Sequence, residues 1–338
     1  MKPFSYSRAE TVADAVAALV ANPHAQVLAG GTNLVDLMKY EVIHPEAIID
    51  INPLPMKTIE ELPDGGLRIG ALASNSAVAY DARVQAQFPL LASAILAGAS
   101  PQLRNAASTG GNLLQKTRCC YFYDPSTPCN KRAPGSGCAA IGGLTRMHAI
   151  LGASEKCIAV HPSDMCVALV ALDATVEVEG PDGARDIAVC DFHRLPGDAP
   201  ERDNTLARGE LITGVRLERN HFAQHHSYLK VRDRLSYAFG VVSVAATIEI
   251  AGTQIADMRV ALGGVAHKPW RDQLAEADFA GAPAEEATFQ RVADRLLVKA
   301  KGQGDNDFKI PLVRKAIVRA LRQAASGTPQ SQTNKKIQ

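Results

Sequence analysis

Five of the chain's seven cysteines, Cys119, Cys120, Cys129, Cys138 and Cys157, fall between a small-residue turn at Ser108-Thr109-Gly110-Gly111-Asn112 and a polar turn at His161-Pro162-Ser163-Asp164. Pro125, Pro128, Pro134 and several glycines deny the intervening segment a helical or strand period. A loop this long buries little apolar area, so something must hold it. Four thiolates closing on one metal centre would supply that ordering energy.

Three chemistries compete for these sulfurs. Disulfides suit an oxidising compartment, but a chain of 338 residues needs no staples. A four-cysteine zinc site usually presents close Cys-x2-4-Cys knuckles, and none occurs here. An iron–sulfur cubane also takes four thiolates and can be reached by spaced ligands from a wrapping loop. The spacings do not match the compact ferredoxin run, so residue chemistry alone leaves iron–sulfur, zinc, disulfide and plain buried cysteine open. Adjacent side chains rarely point at one centre, so one of Cys119 and Cys120 is expected to ligate, with Cys129, Cys138 and Cys157. Cys166, in the apolar run Met165-Cys-Val-Ala-Leu-Val, reads as a small buried hydrophobe. Cys190, in a short apolar strand pattern, reads the same way.

Two glycine turns flank other elements. Ala29-Gly30-Gly31-Thr32-Asn33 sits where a strand meets a helix start and offers backbone N–H groups, a hydroxyl and an amide to an anion. It lacks the G-x-G-x-x-G spacing of a Rossmann site. The turn at 108–112 is of the same chemical type, and the pair suggests a long polyphosphate cofactor held from two sides.

The elements that must position these groups follow from periodicity. Residues 1–52 read as strand, helix, strand, helix, strand, with Thr11 capping the first helix. Gly66–Ala71 is a strand, a capped helix follows from Ser76, and the helix at 88–98 ends at Gly98. Asp164 opens a helix to Asp173, where a plain capping role is as well supported as a binding one. Two strands at 174–180 and 184–189 form a hairpin. Residues 197–209 read as loop, and the main boundary is placed near 220. Beyond it, strands at 227–232, 241–250 and 258–265 predict a mostly antiparallel sheet, followed by helices at 285–301 and 311–325. The units are therefore 1–55, 56–220 with the cysteine segment 115–160 inserted, 221–326, and a polar tail 327–338 expected to fray.

Bulk properties exclude some functions. A net charge of +1 gives no electrostatic case for nucleic acid or a membrane surface. No apolar run reaches spanning length, and the N-terminus lacks a signal-peptide core, so a cytoplasmic location, or export with a signal-bearing partner, is expected. The nine histidines show no His-x-x-His or His-Glu-x-x-His spacing. His225-His226 reads as a solvated pair and His267 as a turn-former. No nucleophile elbow occurs.

Ala29-Gly-Gly-Thr-Asn-Leu, Thr109-Gly-Gly-Asn-Leu, Pro162-Ser-Asp-Met, Lys230-Val-Arg and Gly263-Gly-Val-Ala-His-Lys-Pro-Trp-Arg follow one another in that order. Together they resemble the FAD-binding medium subunits of molybdenum hydroxylases, the xanthine dehydrogenase and aldehyde oxidase family, over Met1 to about Ala325. The loop Arg118-Cys119 … Pro128-Cys129-Asn-Lys-Arg … Gly135-Ser-Gly-Cys138 … Cys157-Ile-Ala resembles a subgroup, the bacterial aldehyde oxidoreductases, whose flavin subunit carries an extra [4Fe-4S] cluster. That pattern has proline at position 120, so the resemblance implies Cys119, Cys129, Cys138 and Cys157 as ligands and Cys120 as a spare thiol.

The resemblance further implies an α+β chain, a PCMH-type FAD-binding fold of two lobes followed by a CO-dehydrogenase-flavoprotein-like C-terminal domain. Gln26, Val27, Leu28, Ala29, Gly30, Gly31, Thr32, Asn33 and Leu34 would wrap the FAD pyrophosphate. Ser108, Thr109, Gly111 and Asn112 would form a second wall, Asp164 would accept a hydrogen bond from the adenosine side, and Lys230 would lie near the isoalloxazine. The implied partners are a [2Fe-2S] small subunit, a molybdenum-cofactor large subunit and an external electron acceptor, with no nucleic acid and no membrane. With no residue set for hydroxylation, the chain takes the flavin end of an electron relay, and the cluster is read as a clamp in preference to a relay station. A free-standing flavin oxidoreductase and a zinc-stabilised scaffold are the competing readings.

Overall fold

The computed structural model describes residues 1–332, and the part of the expected tail from 333 to 338 lies outside the described residues. The first unit alternates β1 (Ser5–Arg8), α1 (Val12–Ala21), β2 (Ala25–Leu28), α2 (Leu34–Lys39) and β3 (Ala47–Asp50). Its strands form a parallel sheet in the order β1-β3-β2, as short crossover helices require. Thr11 closes a capping box with Asp14, which starts α1 and turns Ala15 and Val16 into the core.

The second unit is built on a five-stranded antiparallel sheet of β4 (Ile59–Glu61), β5 (Leu67–Gly70), β6 (Thr175–Gly180), β7 (Gly183–Ala188) and β8 (Leu211–Leu217), ordered β4-β5-β8-β6-β7. The sequence reading missed β4 and also β8, the central strand. Thr213 and Gly214 interrupt the apolar run in β8, and its burial does not alternate. A Cβ at Gly214 would lie 2.6 Å from Glu177 Oε2, so any larger residue would have to displace the carboxylate that Arg68 and Arg216 grip from both sides. Helices α3 (Asn75–Tyr80), α4 (Ala82–Gln87), α5 (Pro89–Ala97), α6 (Pro101–Ala106) and α7 (Thr109–Leu113) connect β5 to the cysteine segment. Ser74, not a residue near Ser76, caps α3 by accepting from Ala77 N.

The cysteine segment contains one helical turn, α8 (Cys120–Tyr123), and leads to α9 (Asp164–Ala171) and α10 (Val189–Phe192). Cys190 therefore lies in a short helix, not in a strand. Ser163 caps α9, and every side chain from Met165 to Ala171 is buried. Such a helix must be packed on all sides. One apolar cluster joins its residues to α5, to the five-stranded sheet and to Tyr228, Ala245 and Ala261 of the third unit.

That unit is an antiparallel sheet, β11-β10-β9, of β9 (His226–Val231), β10 (Val242–Ala251) and β11 (Gln254–Gly263). Helices α11 (Gln273–Ala277), α12 (Glu286–Leu296) and α13 (Lys309–Ala325) cover it, burying Phe289, Val292, Ile317 and Leu321 against Val244, Ile248 and Val260. His226 is buried at the start of β9, not solvated. No helix among the described residues is long and apolar enough to cross a membrane.

The cysteine segment is better tied than its composition suggests. Arg132 donates to the carbonyls of Tyr121 (2.9 Å), Phe122 (2.7 Å) and Thr127, and Asn130 Nδ2 donates to Lys156 O at 3.0 Å. Phe122 and Cys129 pack with Leu37 and Val42 in a small cluster of their own. Backbone carbonyls that strands would have satisfied are met here by side-chain donors.

Candidate functional site

A cavity of about 1340 Å³ opens between the first unit, the turn at 108–112, the start of α9 and the end of β9. Gln26, Val27, Ala29, Gly30, Gly31, Thr32, Asn33 and Leu34 line one side, and Ser108, Gly111 and Asn112 another. Asp164 and Lys230 close the inner end. Two expected residues do not reach it. Leu28 is absent from the lining, and Thr109 is buried with its hydroxyl donating to Ala73 O at 3.0 Å.

The two glycine turns differ in what they leave free. In the first, a Cβ on Gly30 would lie 1.8 Å from the carbonyl oxygen of Ala106, and Gly31 adopts φ +69°. Both positions need glycine, one for close approach and one for a left-handed backbone. The N–H groups of Gly30, Gly31, Thr32 and Asn33 make no backbone hydrogen bond among the described residues, so the turn presents open donors at a helix start. The second turn has already spent its donors. Thr109 N donates to Ala73 O, Gly110 N to Ala71 O, Gly111 N to Ser108 Oγ and Asn112 N to Ser108 O. Asn112 Oδ1 accepts from Ser163 Oγ at 2.5 Å and from Gln115 Nε2 at 2.8 Å. This wall offers shape and Cβ-free surface instead of an anion cradle.

Asp164 does not cap its helix, because Ser163 does. Its carboxylate is spent instead on β9: Lys230 Nζ donates to Oδ2 at 2.7 Å and Tyr228 Oη to Oδ1 at 2.7 Å. Burial and the adjacent carboxylate raise the Tyr228 phenol well above its ordinary range, which keeps it a donor. The resemblance assigns Asp164 to the adenosine side and Lys230 to the isoalloxazine, and in the structure the two are joined in one ion pair.

Several lining residues had no signal in the sequence. Lys116, Arg118, Arg146 and Arg234 stand around the cavity, scattered along the chain and recognisable only once folded. Arg118 donates to Asp36 Oδ2 at 2.8 Å and stacks 5.2 Å over the Phe239 ring. Tyr237 and Phe239, both exposed, belong to the β9–β10 connection at the same mouth.

No disulfide joins any of the seven cysteines. Cys129 and Cys157 are buried, Cys119 and Cys138 half-buried, and Cys120 exposed. Cys129 lies within electrostatic reach of Cys119 and Cys157, and Cys157 of Cys138, while Cys129 and Cys138 pair through their backbones. Burial pushes the Cys119 thiol up to about 12 and that of Cys157 up to about 11. Without a metal both would therefore stay protonated. No three of the loop sulfurs lie within 4.8 Å of one another.

Cys166 is fully buried, as its apolar surroundings predict, yet it shares a pocket of potential ligand atoms with His161 and His193. Burial, with His193 beside it, keeps His161 neutral, against the opposing charge of Asp203. Beside this group, Asp203 accepts from Lys116 Nζ at 2.6 Å and from Lys131 Nζ, which also donates to Pro200 O at 2.7 Å. The two lysines hold the Asp203 carboxyl far below the usual carboxylate range against the opposing effect of burial. Lys116 stands at the start of the cysteine segment and Lys131 further along it, so one carboxylate ties two points of the loop together. His267, expected to shape a turn, donates from Nδ1 to Arg194 O at 2.8 Å and faces Asp203.

Residues 2–217 match the family of the FAD binding domain in molybdopterin dehydrogenase, and residues 227–324 that of the CO dehydrogenase flavoprotein C-terminal domain. The chain is 49% identical over 325 residues to the aldehyde oxidoreductase FAD-binding subunit PaoB of Escherichia coli, covering 96% of this chain and 99% of that protein. It is 24% identical over 326 residues to the glyceraldehyde dehydrogenase medium chain of Sulfolobus acidocaldarius, covering 95% and 98%. Among solved structures it is similar to a chain of carbon monoxide dehydrogenase from Hydrogenophaga pseudoflava, with TM-score 0.76, 25% identity and coverage of 97% and 99%. These matches bear out the expected order of an FAD-binding fold followed by a CO-dehydrogenase-flavoprotein-like C-terminal domain.

Proposed function

The chain belongs to the family of FAD-binding subunits of molybdenum hydroxylases, aldehyde oxidoreductase type, and from that premise we propose that it passes electrons from a [2Fe-2S] partner subunit to FAD and on to an external acceptor. A large molybdenum subunit would oxidise the aldehyde, because this chain presents no residue set for hydroxylation. When bound, FAD supplies the junction between single-electron and paired-electron transfer, and a [4Fe-4S] centre supplies single-electron storage.

The observation that carries the reading is the pairing of open N–H donors at Gly30–Asn33 with the buried Asp164–Lys230 pair in one long cavity. The donors suit an anionic pyrophosphate at a helix start. Lys230 offers a fixed cation, already oriented by Asp164 and by Ala97 O at 3.3 Å. Ser108, Gly111 and Asn112 form the facing wall without competing for the anion. The proposed unit boundaries remain 1–55, 56–220, 221–326 and a tail from 327.

We further propose that Cys119, Cys129, Cys138 and Cys157 hold a [4Fe-4S] cluster. The burial of Cys129 and Cys157, the half-burial of Cys119 and Cys138, and the electrostatic proximity of the four thiols support it. Exposed Cys120 stays outside the set.

The experiment is co-expression with the two partner subunits, followed by visible spectroscopy, iron and sulfide analysis, and an acceptor screen. Flavin bands with a broad iron–sulfur absorbance, and aldehyde oxidation only in the complex, are expected. Aldehyde turnover by the single chain, or a colourless complex, would overturn the proposal.

A further inference from the structure

His148 Nε2 lies 3.1 Å from the sulfur of Cys119. Nothing in the sequence couples these two residues, and no role above uses the imidazole. Its backbone is fixed on three sides. His148 N donates to Thr145 O at 2.8 Å, and its carbonyl accepts from Asn306 Nδ2 at 3.0 Å and from the fully buried Lys309 Nζ at 2.8 Å. The ring also faces Tyr121, with centroids 6.3 Å apart. The imidazole is thus delivered to the sulfur by the third unit of the fold, through α13 and the loop before it.

The tautomer follows from the other nitrogen. His148 Nδ1 is buried and has no hydrogen-bond partner. A proton there would be a buried N–H without an acceptor, a rarer and costlier defect than an idle lone pair. The proton therefore belongs on Nε2, which points it at the sulfur and makes the sulfur the acceptor. Sulfur accepts well as a metal-bound thiolate and poorly as a neutral thiol.

We infer that His148 donates an N–H···S hydrogen bond to Cys119 and thereby raises the reduction potential of the centre that Cys119 helps to hold. The inference rests on Cys119 being a cluster ligand, as proposed above. Reduction adds one negative charge to a cluster, part of which resides on its sulfurs, and a donor aimed at one of them stabilises the reduced state more than the oxidised. Both His148 and Cys119 also line the main cavity, so the donor sits where the cysteine segment faces the flavin site.

The test uses the three-subunit complex, purified anaerobically, with iron and sulfide measured first and the cluster potential then titrated by electron paramagnetic resonance. His148→Phe keeps the ring and removes the donor. At the potential where the unaltered cluster is half reduced, its reduced-to-oxidised ratio should fall about tenfold, a downward shift of about 59 mV for one electron. His148→Gln, whose amide nitrogen can replace Nε2, should restore most of that shift. An unchanged potential in a His148→Phe complex that retains iron beyond the [2Fe-2S] partner's share overturns the inference and leaves the ligand reading intact. Iron and sulfide in the unaltered complex no greater than the [2Fe-2S] partner accounts for overturns the ligand reading, and the inference with it. If His148→Phe fails to assemble, pulsed resonance of the unaltered complex labelled with 15N-histidine decides: a nitrogen coupling to the reduced cluster supports the bond, and its absence overturns it.

Discussion

Lys230 Nζ and Asp164 Oδ2 meet at 2.7 Å across the join between β9 and α9, with side chains only 3% and 11% exposed. Removing one partner of a buried pair strands the other, at a cost of about 3–5 kcal/mol. Lys230→Met is therefore expected to lower the unfolding free energy by that order and to weaken FAD retention. The double variant Lys230→Met, Asp164→Asn should recover part of the loss. A double-mutant cycle in urea checks this, and strictly additive effects would argue against coupling.

Gly30→Ala places a methyl group against the carbonyl of Ala106, with backbone on both sides of the clash. The turn must open, costing about 1–3 kcal/mol as overpacking does and moving the N–H donors out of line. Fluorescence of flavin released from the purified complex should fall far below one FAD per chain. A full complement of FAD would show that the turn is not the anion cradle.

Among the cysteines, the ligand set predicts a sharp contrast. Cys129→Ser and Cys138→Ser should lose most of the iron and sulfide, whereas Cys120→Ser should keep both, its thiol being exposed. Chemical analysis per chain settles the matter. If flavin reduction survives in an iron-depleted Cys138→Ser complex, the centre serves as a clamp.

Acid should loosen the protein through its buried histidines. Burial lowers His193 and His267 from their ordinary value near 6.5 to about 4. In this window the unfolded chain binds protons that the folded chain refuses, so stability present at pH 7 is lost as pH falls from about 6.5 towards 4. Urea midpoints between pH 7 and pH 4.5 should decline. His193→Gln, which can retain a donor to Leu113 O, should flatten the slope by up to one proton. The Asp203 clasp should persist throughout this window, because a depressed carboxyl contributes stability until pH drops below about 4.

Much of the site was legible because it rests on local rules. The strand–turn–helix at 25–39 and the glycines that permit it follow from periodicity and turn chemistry, and the burial of Cys166 from its apolar neighbours. What escaped was long-range. β8 hides because Thr213 and Gly214 break its alternation, and only the Arg68–Glu177–Arg216 stack explains why glycine stands there. Asp203 looked like an ordinary loop acid, since its partners Lys116 and Lys131 are remote in sequence. Asp164 resembled a cap because its real partners, Tyr228 and Lys230, come from another unit. The 3.1 Å approach of His148 to Cys119 has no sequence signature at all.

The unequal state of the two glycine turns governs how the ligand-free protein behaves in heavy water. Amides of Thr109 through Asn112 are engaged internally and should exchange slowly whether or not a guest is present. Those of Gly30 through Asn33 have nothing to shelter them until an anion arrives. One rim is finished at folding, while the other is completed only on loading, so deuterium uptake at four residues would report occupancy without any need for colour.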